Sequence, residues 1–168
     1  MPTRHKSPTS EKASGREIER KFLVRTLPDL AKVKHERVVQ GYLAVDADGT
    51  EVRLRRKGEN YFMTVKTGEG VSRGEIEREL TESQFDAFWP ATEGKRLEKV
   101  RYELPYQDHL IELDLYRGVL EGLQIAEVEF DTESQSAAFT PPDWFGREVT
   151  TETAYKNHHL ALHGRPHD

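Results

Sequence analysis

Between residues 17 and 130 the chain alternates apolar and polar positions with a period of two, in short runs. Ile111, Leu113 and Leu115 interleave with Glu112, Asp114 and Tyr116; Ala126, Val128 and Phe130 interleave with Glu127 and Glu129. Tyr61, Met63 and Val65 likewise lie opposite Phe62, Thr64 and Lys66. Successive strand side chains point to opposite faces, so this period predicts β-strands. Eight candidates stand out, at 17–24, 36–45, 51–57, 60–67, 72–80, 97–104, 109–116 and 124–130. Turn chemistry separates several of them: Asp46-Ala47-Asp48-Gly49, Lys57-Gly58-Glu59-Asn60, Gly68-Glu69-Gly70 and Pro105-Tyr106-Gln107-Asp108. Loops this short join antiparallel neighbours.

Elsewhere the spacing turns helical. Phe85, Phe88 and Trp89 predict an amphipathic helix over 83–92, with Ser83 as its cap. Ala154, Tyr155, Leu160 and Ala161 predict another over 151–163, stopped by Gly164. Shorter helices are expected at 28–34 and 133–139. The first fifteen residues are polar, rich in Ser, Thr, Lys and Pro, and aperiodic, so 1–15 reads as a flexible tail ahead of a single domain over 16–165. The fold class is mainly β (α+β).

Composition narrows the function. A chain of 168 residues suits one domain. Its charged fraction of 33% nearly equals its hydrophobic 35%, yet the net charge is only −5, so both signs are present in bulk. That balance argues against nucleic acid as a partner, which calls for a basic surplus. The absence of cysteine excludes disulfides, thiolate metal sites and a cysteine nucleophile. No apolar run suits a membrane span or a signal peptide, so no membrane is expected and the cytoplasm is the default location.

The charges themselves sort by strand. Glu17/Glu19, Glu112/Asp114 and Glu127/Glu129 are acidic, whereas Arg53/Arg55, Lys66 and Lys99/Arg101 are basic. Two readings remain open from spacing alone. In a sandwich the charged faces point to solvent. In a closed barrel they point inward around a polyanion and its metal ions, and the helices cover the apolar faces from outside. Glu51 and Lys57 share the parity of the arginines, but at strand ends exposure is expected. Lys156 is expected to be solvated. The histidines at 158, 159, 163 and 167 lack an accompanying ligand pattern and are not read as a metal site.

The same residues resemble the CYTH family, or triphosphate tunnel metalloenzymes. EIERKFLV matches the N-terminal ExExK signature on Glu17, Glu19 and Lys21; QGYL follows at Gln40–Leu43; EVRLRRK supplies Arg53 and Arg55; MTVKTG supplies Lys66. RGEIERE gives Arg73, Glu75 and Glu77; EKVRYE gives Lys99 and Arg101; IELDLY gives Glu112 and Asp114; AEVEF gives Glu127 and Glu129. GREVTTETAYKNHHLA resembles the C-terminal stretch of short bacterial members. The resemblance implies a closed eight-stranded antiparallel β-barrel, a tunnel with charged faces inward, a few helices packed outside and a C-terminal helix.

It also implies a metal-dependent triphosphatase. The expected reaction is hydrolysis of inorganic tripolyphosphate to diphosphate and phosphate, with a nucleoside or thiamine triphosphatase, a class IV-type adenylate cyclase, or a non-catalytic polyphosphate- or nucleotide-binding module as alternatives. Lys21, Arg53, Arg55, Lys66, Lys99, Arg101 and Arg73 would contact phosphate, Arg73 alternatively shaping the tunnel with Glu75 and Glu77. Glu17, Glu19, Glu112, Asp114, Glu127 and Glu129 would hold one or two Mg²⁺ or Mn²⁺ ions. Lys99, Glu127 and Glu129 are the candidate catalytic groups, either glutamate taking the proton of the attacking water. Tyr42 could touch substrate, and Tyr116 points the same way. The partner is a small-molecule triphosphate, met by a monomer or homodimer.

Overall fold

All eight predicted strands form, each within two residues of its expected bounds. They are β1 (Ile18–Val24), β2 (His35–Val45), β3 (Glu51–Lys57), β4 (Asn60–Thr67), β5 (Gly74–Leu80), β6 (Arg96–Tyr106), β7 (His109–Tyr116) and β8 (Gln124–Phe130). The structure is a computed structural model that describes residues 17–68 and 74–167. The tail expected at 1–15, Arg73, and part of the turn at 68–70 lie outside the described residues.

Every strand pair is antiparallel, in the order β5-β4-β3-β2-β6-β7-β8-β1-β9. The last member is a ninth strand, β9 (Phe145–Glu148), which the sequence reading missed. Four residues are too few to display an alternation, and Pro141-Pro142 just before them reads as loop. This strand also corrects the expected closed eight-stranded barrel. β1 pairs with β8 along one edge and, from Phe22 to Val24, with β9 along the other, and among the described residues no ladder joins β1 to β5. The result is a nine-stranded sheet whose ends are not joined by a backbone ladder among the described residues. It nevertheless curls strongly: Lys66 on β4 reaches Glu17, just ahead of β1, with Nζ 3.2 Å from Oε2, although the two strands lie near opposite ends of the order.

The outer face is apolar and covered. Ile18, Phe22, Ile111, Leu113, Ala126, Val128 and Phe130 form one core with Phe139 and Phe145, the rings of Phe22 and Phe145 lying 4.8 Å apart. Burial of this area from water is the main stabilising contribution on that side. A second outer cluster packs Leu54, Tyr61 and Phe85, the last on α1 (Glu82–Phe88). Thr81, not Ser83, caps α1: its hydroxyl accepts from Gln84 N–H while the Gln84 side chain accepts from Thr81 N–H. α2 (Glu133–Ala138) forms close to the expected 133–139. The helix expected at 28–34 does not form. There the Asp29 carboxylate takes the Ala31 N–H at 3.0 Å, a local bond that competes with helical pairing.

The C-terminal segment departs most from expectation. The predicted helix over 151–163 breaks into a 3-10 turn, Thr153–Tyr155, an extended Lys156, and α3 (Asn157–His163). Gly164 does stop it, at φ 79°, its N–H donating to the Leu160 carbonyl. The expected cover on an outer face is overturned, because Tyr155 and Leu160 pack with Val149 onto Leu97, Tyr116, Leu120, Leu123 and Ile125. Leu97, Tyr116 and Ile125 share the strand parity of Lys99, Asp114 and Glu127, so this apolar cluster fills one end of the inner face.

Candidate active site

The inner face surrounds a cavity of about 1220 Å³ to which all of β1–β8 contribute side chains. Sorting of charge by strand becomes intelligible once the strands are paired. The acidic strands β7, β8 and β1 are contiguous and meet basic β6 at one side, and individual opposite charges face each other in register: Lys21 lies opposite Glu127, Arg101 opposite Asp114, and Lys66 between Glu51 and Glu75. Cross-strand opposite charges on one face attract, so the sandwich reading with charges in solvent is set aside.

One corner is a dense ion-pair network. Asp114 is fully buried and accepts from Arg101 Nε at 2.7 Å and Nη2 at 2.8 Å, and its second oxygen lies 2.8 Å from Lys99 Nζ. Arg101 also donates to Glu112 at 3.0 Å and to Glu127 at 2.9 Å. Glu127 lies 3.4 Å from Lys21 Nζ. Burial would raise the Glu127 carboxyl, but Lys21, Arg101 and Lys99 hold it well below the usual carboxylate range. The Asp114 carboxyl is lowered in the same way, against its burial, by Arg101 and Lys99. Lys99 is different. Burial pushes it down to about 8 even with Asp114 in contact, and neighbouring Arg101 adds to the fall.

A second corner is short of partners. Arg53 and Arg55 are buried, with Glu77 Oε2 3.9 and 3.5 Å from their respective Nη2 atoms. The Thr64 hydroxyl donates to the same Glu77 oxygen at 2.8 Å. The Nε atoms of both arginines are buried without a hydrogen-bond partner, as is Glu77 Oε1. Burial and the adjacent Arg53 push Arg55 down to about 10. Two cations side by side with orphan donors are poised for an anionic ligand.

The third corner is acidic. Glu17, Glu19 and Glu129 bring one carboxylate oxygen each within 4.8 Å of one another. Burial, with Glu127 next and Glu17 contributing, pushes Glu19 up to about 8. Crowded carboxylates without thiolate or imidazole form an all-oxygen donor set, which fits a hard divalent cation. The remaining acidic candidates, Glu112, Asp114 and Glu127, are instead brought against Arg101, Lys99 and Lys21.

One expectation at the rim changes. Glu51 is buried, not exposed, because His158 on α3 lies over it with Nδ1 3.2 Å from Oε1. Lys156 is exposed, as expected, but borders the cavity beside Asn157 and His158. Sequence reasoning missed His158, Asn157, Gln40 and Thr64. For Gln40 and Thr64 the signal was their inner parity beside Tyr42 and Lys66; for the α3 residues there was none before the segment's position was known. Tyr116 packs in the apolar end and its hydroxyl donates to Asn157 Oδ1 at 2.6 Å.

With this geometry established, the CYTH domain model matches residues 15–159. The chain belongs to the CYTH domain family. An inorganic triphosphatase from Nitrosomonas europaea is 50% identical over 147 residues, covering 87% of this chain and 97% of the relative. An inorganic triphosphatase from Acetivibrio thermocellus is 37% identical over 148 residues, covering 87% and 93%. The crystal structure of the inorganic triphosphatase NE1496 superposes with a TM-score of 0.70 at 46% identity, covering 89% of this chain and 97% of that one. Among the described residues no helix is long and apolar enough to cross a membrane.

Proposed function

We propose that this protein hydrolyses inorganic tripolyphosphate to diphosphate and phosphate inside the cavity, with a divalent cation, Mg²⁺ or Mn²⁺, held by Glu17, Glu19 and Glu129. The observation that carries the reading is the pairing of the under-coordinated Arg53 and Arg55 with a separate carboxylate cluster in one cavity. A linear triphosphate needs cationic donors for its oxygens, and its hydrolysis needs little covalent help from the protein. The similarity to inorganic triphosphatases over nearly the whole chain supports the same substrate.

The residues divide the work. Arg53 and Arg55 direct their unpartnered Nε–H groups to phosphate oxygens, and Glu77 with Thr64 keeps the two guanidinium groups aligned. Lys21 and Lys66, each next to a carboxylate, add point charges between the phosphate-binding and acidic corners. Arg101 is held by three carboxylates and acts mainly by fixing Glu112, Asp114 and Glu127 in place. When bound, the cation supplies charge neutralisation for the phosphates and acidifies a water. Among the candidate catalytic groups, Lys99 is tuned to exchange a proton near neutral pH, Glu127 is held too acidic to be an effective base, and Glu129 belongs to the carboxylate cluster that would hold the cation. Tyr42, on the inner face of β2, donates its hydroxyl to a phosphate oxygen.

The test is phosphate and cyclic-nucleotide release from tripolyphosphate, ATP and thiamine triphosphate, each with Mg²⁺, Mn²⁺ or chelator. Metal-dependent phosphate release chiefly from tripolyphosphate is expected, and Glu17→Gln with Glu19→Gln should abolish it. A cyclic product from ATP, or tight binding of every triphosphate with no turnover, would replace this reading by a cyclase or a binding module.

A further inference from the structure

Gln40 sits on the inner face of β2 with 1% of its surface exposed, two residues from Tyr42, which is equally buried. No charge or packing requirement explains a primary amide there, and burying one costs free energy unless its groups are paired. Its register partners are Arg55 on β3 and Leu97 on β6. The amide pairs with one group: Nε2 donates to the Tyr42 hydroxyl oxygen at 3.0 Å. Oε1 is buried with no partner.

That single bond determines what Tyr42 can do. A phenol has one proton to give and can accept in return. Because Gln40 occupies the accepting role, the Tyr42 proton must go elsewhere, and among the described residues it finds no acceptor. Around the ring stand Arg53, opposite it in register on β3, and His158, 6.5 Å away centre to centre. The hydroxyl therefore has its donor free beside Arg53, whose Nε, like that of neighbouring Arg55, also lacks an acceptor. Burial raises the Tyr42 phenol above its ordinary value, which keeps it protonated.

We propose that Gln40 is a positioning residue that holds the Tyr42 hydroxyl as a hydrogen-bond donor to a phosphate oxygen shared with Arg53. This deepens, and rests on, the assignment of Tyr42 as a phosphate contact. The reverse amide orientation, with Oε1 toward the phenol, would draw the proton away from the ligand. Gln40→Glu imitates that reversal.

The proposal is tested by a double-mutant cycle with Gln40→Met and Tyr42→Phe, read in two ways: kcat and KM for tripolyphosphate with Mg²⁺, and tripolyphosphate binding by calorimetry in chelator. Each single variant should lower kcat/KM by about tenfold, the loss of one neutral hydrogen bond. The double variant should match Tyr42→Phe within about twofold in both measurements. Gln40→Glu should fall below Gln40→Met, and thermal melts should confirm that each protein is folded. Should Gln40→Met melt below the assay temperature, Gln40→Leu takes its place in the cycle. A purely structural Gln40 predicts the full tenfold loss again in the Tyr42→Phe background, which overturns the proposal alone. Wild-type behaviour of Tyr42→Phe in both measurements overturns the phosphate contact and the proposal together. Wild-type behaviour of Gln40→Met leaves the contact standing and removes Gln40 from it.

Discussion

Replacing Asp114 by asparagine removes one negative charge from the most enclosed point of the ion-pair network and little else. The carboxylate is fully buried and takes three charge-assisted hydrogen bonds, two from Arg101 at 2.7 and 2.8 Å and one from Lys99 at 2.8 Å. Breaking a buried pair by removing one partner typically costs about 3–5 kcal/mol, because the other charge stays desolvated. Here two cations are left, but they respond differently. Lys99 is already pushed down to about 8 and can shed its proton, whereas Arg101 cannot. The loss should therefore fall mainly on Arg101, which keeps Glu112 and Glu127, giving about 3 kcal/mol near neutral pH. For a chain of this size each kcal/mol lowers Tm by roughly 2–4 °C, so a fall of about 6–12 °C is expected. The gap between variant and wild type should narrow as pH rises towards about 8 and level off above it, where Lys99 is neutral in both proteins. Tripolyphosphate should stabilise the variant more than the wild type, because its oxygens replace the lost acceptor. Urea unfolding and thermal melts across pH 6–10 provide the measurement. A Tm within about 2 °C of wild type, or a gap independent of pH, would refute the argument that Asp114 neutralises both cations.

Three further outcomes follow from the same geometry. Glu19, pushed up to about 8, binds its proton more tightly folded than unfolded, so this group makes the metal-free protein lose stability as pH climbs from 4.5 towards 8. Melts in chelator over pH 5–8 should show that slope and Glu19→Gln should lack it; equal slopes contradict the assignment. Because a cation competes with that same proton, Mg²⁺ affinity should tighten by up to about tenfold per pH unit below 8, measurable by calorimetry, and a flat profile would count against Glu19 as a ligand. Gly41→Ala should destabilise by about 1–3 kcal/mol, since a Cβ there would stand 2.6 Å from Thr92 Cβ and 3.0 Å from the Trp89 ring; an unchanged Tm would mean the 3-10 turn Trp89–Thr92 yields freely.

The legible part of this protein is what depends on local alternation. Runs such as IELDLY and AEVEF announce both a strand and its two faces, because the period of two is set by the backbone itself. That Lys21, Arg53, Lys99 and Glu127 lie on the charged face of their strands could be read for the same reason, whereas the inward turn of that face came from the family resemblance. Failures came where a short segment's partner is distant, or where one local side-chain bond competes with the helix. Four residues of β9 show no period, Asp29 redirects a would-be helix through one side-chain bond, and α3 has an apolar stripe that fits either face of the sheet.

Sequence by itself determined the strands, the faces and the kinds of charge each face carries. Tertiary structure decided which charges meet. Strand order places β6 beside β7, so Asp114 is taken up by Lys99 and Arg101, while curling brings Glu17, Glu19 and Glu129 together. It also sends α3 into the concave side, burying Glu51 beneath His158. The physical reason is that parity is a one-strand property, whereas neutralisation depends on the few ångströms between strands that only register, order and curvature set.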